Sequence, residues 1–353
     1  MQRAVITGWG SCVPDAVLSN SDLESRLDTS DDWITTRTGI KERRIADATT
    51  GEIATVAARH ALAAAGLQGS EIDMIVVATC TPDRLIPAVA TVVQKEIGAT
   101  GASAFDVNAA CAGFAYGAAV GTSAIESGLA KRILVIGADR LSAWLDFEDR
   151  STAVLFGDGA GAVVLEASDD LGASAPGVLS VDIGANGEFG EQLTVPGSGL
   201  EVHPPDKMVA ITMDGREVFR QAVVVMGEIA AKVTESAGLE LGDIDLLIPH
   251  QANSRIIDAT ARRLDLDPRR VFVNIHSYGN TSSASIPIAL TEALEQGRID
   301  PGGHIVFVAF GGGFSWGALA VRWGDRVHPL AKSDASLPPS TRTALEIMES
   351  NQV

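Results

Sequence analysis

The chain is poor in cysteine: Cys12, Cys80 and Cys111 are its only three in 353 residues, too few for a disulfide framework. No C-x-x-C pair and no histidine cluster at ligand spacing is present, so nothing in the sequence implies a bound metal. Positive charge is scarce too. Lysine and arginine number 27 against 45 aspartates and glutamates, a net charge of −18; this repels nucleic acid and anionic membrane, and an acidic partner needs a local basic patch. The opening "MQRAVITGWGSCVP" lacks the basic start and apolar run of a signal peptide. No stretch reads as a membrane span, and a cytoplasmic protein is expected. A P-loop, a GxSxG elbow and a strand–GxGxxG–helix unit are absent as well, which discounts a dinucleotide site and an α/β-hydrolase nucleophile.

What is present is an alternation of Ala-rich helical segments with short β-branched runs, "MIVVAT", "RILVIGAD", "DLLIPH" and "HIVFVAF". Such runs are central strands of an α/β protein. The order of elements also repeats. "AGLQGSEIDMIVVAT" from Ala65 and "AGLELGDIDLLIPHQ" from Ala237 share AGLxxxxID in register: a helix end, a turn and a buried strand. In each half a helix ending in "ESG" or "EQG" precedes a strand, and a Gly-rich turn, "GDGAGAVVL" or "GGGFSWGALAV", enters an apolar strand. The repeat predicts two homologous α/β halves, residues 1–170 and 171–324, with a site at the pseudo-twofold between them. Residues 325–353 lose the strand pattern; a Pro/Ser linker leads to a short helical segment, "TALEIMES", and a mobile or surface-docked tail is expected.

Three polar residues stand out against this frame. Cys111, in "VNAACAGFAYGAAV", follows the strand "SAFDV" and opens a helical run. A helix N-terminus stabilises a thiolate, so a thiol pKa below the free value of about 8.5 is expected, although a buried cysteine in an Ala-rich helix is more often packing. His250 ends the strand of "IDLLIPHQAN", where it is either a satisfied structural histidine or a site residue. Asn280, in "SYGNTSSASIP", reads by itself as a turn or cap residue after Gly279. If the halves superpose, Cys111 and Asn280 occupy equivalent strand-to-helix turns and His250 lies beside them, so thiol, imidazole and amide converge. "FGGGFSWG", Phe310 to Gly317, sets bare backbone N–H groups after a buried strand, either for an oxyanion or as a plain tight turn. One basic patch exists: Arg262, Arg263, Arg269 and Arg270 fall within nine residues, with Arg255 upstream.

Taken together, "DDWITTRTGIKERR", "DVNAACAGF", "DRSTAVLFGDGAGAVVL", "PHQANSRI", "GNTSSASIP" and "FGGGFSWG" resemble the 3-ketoacyl-[acyl-carrier-protein] synthase III family over about residues 3–323. The resemblance implies an α/β protein of the thiolase-like duplicated fold, layered α-β-α-β-α. It implies a decarboxylative Claisen condensation of an acyl-CoA starter with malonyl-acyl-carrier protein, through an acyl-cysteine, to begin fatty acid synthesis. Cys111, His250 and Asn280 would form the triad, and the N–H groups of Cys111 and Gly312 the oxyanion hole. Trp33, Arg37 and Arg150 would grip the adenine and phosphates of CoA, and Asn253 the pantetheine arm. Arg220, Arg255, Arg262 and Arg263 would dock the carrier protein; a solvated basic helix face is the plainer reading of that patch. A homodimer is implied, with acyl-CoA as substrate and no permanently bound cofactor.

Two features depart from the pattern. Ile86 stands where short-chain-specific members commonly have Phe, at a position that in the family dimer reaches the partner's acyl pocket, so a branched or longer starter is expected. The tail after Trp323 exceeds the usual family end. A related starter enzyme of polyketide or quinolone type is the alternative within the fold. A thiolase would need a second cysteine after Asn280, and there is none; a hydroxymethylglutaryl-CoA synthase would need a Glu base that no motif supplies. A non-catalytic carrier-binding paralogue would be expected to have lost Cys111 or His250.

Overall fold

The β-branched runs form strands, and the strands gather into two sheets of one design. The computed structural model describes residues 2–195 and 210–351. The first sheet contains β1 (Arg3–Cys12), β2 (Met74–Ala78), β3 (Ser103–Val107), β4 (Arg132–Arg140) and β5 (Asp158–Ser168), in the order β1-β5-β4-β2-β3. β5 is antiparallel to both β1 and β4, while β4/β2 and β2/β3 are parallel. The second contains β6 (Gly177–Ala185), β7 (Leu246–Pro249), β8 (His304–Gly311) and β9 (Ser315–Arg322), ordered β6-β9-β8-β7 with the same directions. The counterpart of β3 shrinks to one parallel bridge, Leu247 to Val271.

The helices that position the site are α1 (Asp31–Thr38), α2 (Thr50–Ala65), α3 (Gly113–Glu126), α4 (Gly215–Ser236), α5 (Ser254–Arg263), α6 (Ser285–Glu295) and α7 (Ala344–Asn351). α3 and α6 lie between the sheets, α2 covers the outer face of the first, and α4 with α5 covers that of the second. The layers are therefore α-β-α-β-α. Composition follows position. α3 is sandwiched and apolar nearly all round, as a helix without a solvent face must be. Its Phe114 meets Phe307 of β8 edge to face, with centroids 6.5 Å apart. α4 has one outer face, and buries Ala222, Met226, Ile229, Ala230 and Val233 at helical spacing. Asp214 caps it by accepting from the N–H groups of Arg216 and Glu217.

Of the two outcomes expected for the tail, the structure takes the docked one. The N–H groups of Leu330 and Ala331 donate to Ala64 O and Ala63 O at the end of α2, at 3.0 and 3.1 Å. The segment "TALEIMES" forms α7, which buries Ala344, Ile347 and Met348.

The apolar cluster between the two sheets, which includes Phe307, is the largest of the core clusters among the described residues. Phe307→Ala is expected to lower unfolding free energy by about 3–5 kcal/mol, read by urea denaturation, whereas Leu129→Ala, at a position 73% exposed, should change it by less than about 0.5 kcal/mol. Equal effects would contradict the layer assignment.

Candidate active site

Two matching turns build the centre of the molecule. After β3, a 3-10 turn at Ala110–Ala112 opens α3; in the second half, Ser282–Ala284 opens α6 in the same way. Ala110 and Ser282 are both left-handed, at φ 46° and 52°, a conformation few non-glycine residues adopt. In each turn an asparagine two residues earlier accepts the backbone N–H: Ala110 N donates to Asn108 Oδ1 at 3.2 Å, and Ser282 N to Asn280 Oδ1 at 2.8 Å. The repeat thus equates Asn108 with Asn280 and Cys111 with Ser283. Cys111 and Asn280 do lie on equivalent turns, but at positions three residues apart. Each turn presses on the central strand of the other half. A Cβ on Gly311 of β8 would lie 2.6 Å from Cys111 N, and one on Gly137 of β4 would lie 2.3 Å from Ser283 O, so only glycine permits either approach.

This crossing brings Cys111, His250 and Asn280 to one cavity of about 90 Å³, lined otherwise mainly by apolar groups such as Phe156, Phe219 and Met226. All three are buried, at 8%, 1% and 6% exposure. His250 follows β7, and its N–H donates to Val308 O at 2.8 Å. Its Nδ1 lies 2.6 Å from Ser285 Oγ, which also accepts from Gln251 N at 3.4 Å. The Ser285 hydrogen is then free to donate to Nδ1, which puts the ring proton on Nε2. Asn280 is fixed by its backbone, donating to Leu155 O at 2.9 Å and accepting from Gly157 N at 3.0 Å. Because its Oδ1 is occupied by Ser282 N, Nδ2 is the group it offers to the cavity. Ser285 was not singled out in the sequence, and Gly311 only as part of "FGGGFSWG"; the alignment of "NAACAG" with "NTSSAS" was the signal for the turn that carries Ser285.

The expectation of a lowered Cys111 pKa is not met. Burial pushes the thiol up to about 12, against an opposing hydrogen bond with Ser282. The α-helix proper begins only at Gly113, and the cost of a buried charge outweighs the helix terminus. Burial also drives His250 down to about 3. A neutral thiol therefore faces a neutral imidazole and an amide. Two uncharged donors in an apolar cavity suit an oxygen on which negative charge develops.

Cys111 also lines a second and larger space, about 620 Å³, on another side. Leu141, Phe156, Leu193, Ile211 and Phe314 supply much of its wall, and Gly312 lies along it. Cys80 is there as well, its Sγ donating to Asp139 Oδ1 at 3.3 Å. Cys111 stands where the two spaces meet.

Models of 3-oxoacyl-[acyl-carrier-protein] synthase III match residues 105–187, and models of its C-terminal region match residues 234–323. The beta-ketoacyl-[acyl-carrier-protein] synthase III 2 of Vibrio vulnificus (strain YJ016) is 49% identical over 351 residues, covering 98% of this chain and 95% of its own. The beta-ketoacyl-[acyl-carrier-protein] synthase III of Geobacillus kaustophilus is 50% identical over 91% of this chain and 99% of its own. The crystal structure of the Aquifex aeolicus VF5 3-oxoacyl-[acyl-carrier-protein] synthase III superposes with a TM-score of 0.85 at 48% identity, over 91% of this chain and 100% of that one. The chain belongs to the 3-oxoacyl-[acyl-carrier-protein] synthase III family. Its fold is the thiolase-like duplicated fold, and its activity is the acyltransferase condensation of fatty acid synthesis.

The other positions expected from this synthase III family fall into three places. Trp33 and Arg37 on α1 gather with Arg150: the two guanidinium carbons lie 4.8 and 4.7 Å from the indole centroid. Asn253 lines the cavity of Cys111 and donates through Nδ2 to Arg37 O at 3.1 Å, which ties that cluster to the cavity. The basic residues are unequal. Arg220 is paired with Glu217 and Arg263 with Glu228, Arg255 lies over the Phe219 ring at 5.3 Å, and Arg262 is exposed. Arg269 pairs with Asp267, and Arg270 bonds to Gly242 O and Ile244 O. Ile86 lines neither space of its own chain; it is 84% exposed, beside Leu85 at 72%. Among the described residues no group of three or more His, Cys, Asp or Glu is placed to hold a metal, and no helix is long and apolar enough to cross a membrane.

A buried neutral thiol makes a pH prediction. Alkylation of Cys111 by iodoacetamide in the absence of substrate should quicken continuously from pH 6 to pH 9, since the thiolate fraction keeps rising below a pKa of about 12. A plateau reached below pH 7 would contradict this.

Proposed function

We propose that Cys111, His250 and Asn280 carry the condensation, with an acyl-CoA as the first substrate and malonyl-acyl-carrier protein as the second. The supporting observation is that three separate segments deliver these groups to one buried cavity. In the first step the Cys111 sulfur attacks the thioester carbonyl, the C–S bond to CoA breaks, and CoA leaves with the thiol proton. Backbone N–H groups of Cys111 and Gly312 hold the oxyanion. In the second, malonyl-carrier thioester loses carbon dioxide, and its electron pair becomes an enolate held by His250 Nε2–H and Asn280 Nδ2–H. The enolate carbon attacks the acyl carbonyl, the bond to Cys111 Sγ breaks, and the sulfur takes up a proton as 3-ketoacyl-carrier protein leaves. Neither step as written calls on a metal or a resident cofactor. The depressed basicity of His250 favours its role as donor over that of base.

CoA belongs on the side of Asn253, Arg37, Trp33 and Arg150. An adenine between the Trp33 ring and the Arg150 guanidinium would replace their mutual stacking, with Arg37 toward the phosphates. The acyl chain then takes the second, largely apolar space beyond Cys111. Arg255 and Arg262, with Arg220 and Arg263 at the margin, form the carrier-protein surface; Glu217 and Glu228 must give up their pairs for the latter two to take part. A homodimer is supported by the exposed Leu85 and Ile86, with Ile86 reaching the partner's acyl space, and a cytoplasmic location by the soluble acyl substrates. Residues 1–170 form the nucleophile half, 171–324 the His/Asn half and 325–353 the tail; residues 1, 196–209 and 352–353 lie outside the described residues.

His250→Ala and Asn280→Ala should each leave acylation of Cys111 by acyl-CoA intact and slow malonyl-carrier decarboxylation by roughly 10²- to 10³-fold. Loss of acylation in both variants would overturn this division of labour. Arg255→Glu with Arg262→Glu should raise KM for malonyl-carrier protein and leave KM for acyl-CoA unchanged; an unchanged carrier KM would remove this surface from the account.

A further inference from the structure

The tail does more than cover surface. The 95% of the Vibrio relative that aligns takes in 98% of this chain, so the alignment reaches into residues 325–353, whereas the family model ends at residue 323. The tail leaves the second half, crosses the first and ends on the 3-10 turn Leu141–Trp144. Arg326 donates to Thr7 O at 2.7 Å, Leu330 and Ala331 fasten to α2, and Ala335 O lies 2.8 Å from His60 Nε2. Ser340 and Arg342 then both bind Asp47. α7 starts with a capping arrangement, Thr343 N and Oγ1 donating to Glu346 Oε2 at 2.7 and 2.8 Å. Its far end is held by an ion pair of Arg26 with Glu349.

The position of α7 matters because of what lies in front of it. Ile347 and Met348 are 1% and 2% exposed, and join one apolar cluster with Leu141, Leu145, Phe147 and Ile211. α7 packs on the 3-10 turn Leu141–Trp144. Leu141 itself lines the space beyond Cys111, and so does Ile211, whose N–H donates to Trp144 O at 2.8 Å. The helix is thus the backing of a wall whose front face is Leu141 and Ile211. We propose that α7 is a specificity-determining element that sets how far this wall yields, and so which acyl chains Cys111 accepts. This rests on the reading that the acyl chain occupies the second space. Close-packed side chains transmit a change of volume at Ile347 or Met348 to the wall they support; without α7 the wall can retreat and admit a longer chain.

The test is acylation of Cys111 by straight-chain acyl-CoAs from acetyl to decanoyl, in the full-length protein and in Ile347→Ala, Met348→Ala, Ile347→Leu and a chain ending at Leu337. The alanine variants and the shortened chain should raise the decanoyl-to-acetyl ratio of rates by roughly tenfold, Ile347→Leu should keep the wild-type ratio, and KM for malonyl-carrier protein should not move. Should the shortened chain fail to fold, the point variants decide. Leu141→Trp, which fills the space from its front, separates the two possible failures. If it shifts the ratio and the α7 variants do not, the tail is only a clamp and the proposal is wrong. If Leu141→Trp also leaves the ratio unchanged, the acyl chain lies elsewhere and both readings fall.

Discussion

The contact on which the site depends is the backbone approach of each half's 3-10 turn to the central strand of the other half. Gly311 meets the N–H of Cys111 and Gly137 meets the carbonyl of Ser283, both closer than any side chain would allow. Because that contact is made twice, the two turns lie against each other, and the groups they carry become neighbours although they are far apart in sequence. The strain of left-handed Ala110 and Ser282 belongs to the same device. Asn108 and Asn280 hold the two turns in place, and only the second of these asparagines also lines the cavity with Cys111 and His250.

Electrostatics in this setting works by exclusion of charge. Cys111 and His250 are buried, and burial moves one pKa up and the other down. Cys111 and His250 therefore meet as neutral groups and not as an ion pair. That is consistent with a reaction in which charge appears only transiently, first on a thioester oxygen and then on an enolate, with fixed N–H donors waiting for each. Charge is placed outside this pocket instead, on Arg37 and Arg150 beside Trp33 and on the arginines of α5, in a chain of net charge −18.

Much of this was legible in the sequence. Apolar β-branched runs and the AGLxxxxID repeat were enough for two α/β halves, since strands buried on both faces need continuous apolar side chains. His250 and Asn280 could be placed because they end a strand and open a helix. The balance of forces on Cys111 was not legible, because a helix start is visible in sequence while desolvation depends on what packs over it. The pairing of Arg220 and Arg263 with glutamates on α4 was hidden for the same reason. The docking of α7 on the turn Leu141–Trp144 was hidden too, because no local pattern in the tail reveals what it packs against.

The most direct test is peptide mapping by mass spectrometry after sequential addition of substrates. Acyl-CoA should place one acyl group on the peptide containing Cys111, and malonyl-carrier protein should then remove it with formation of 3-ketoacyl-carrier protein. An acyl group found on Cys80 or Cys12 instead, or an adduct on Cys111 that malonyl-carrier protein does not discharge, would contradict the account.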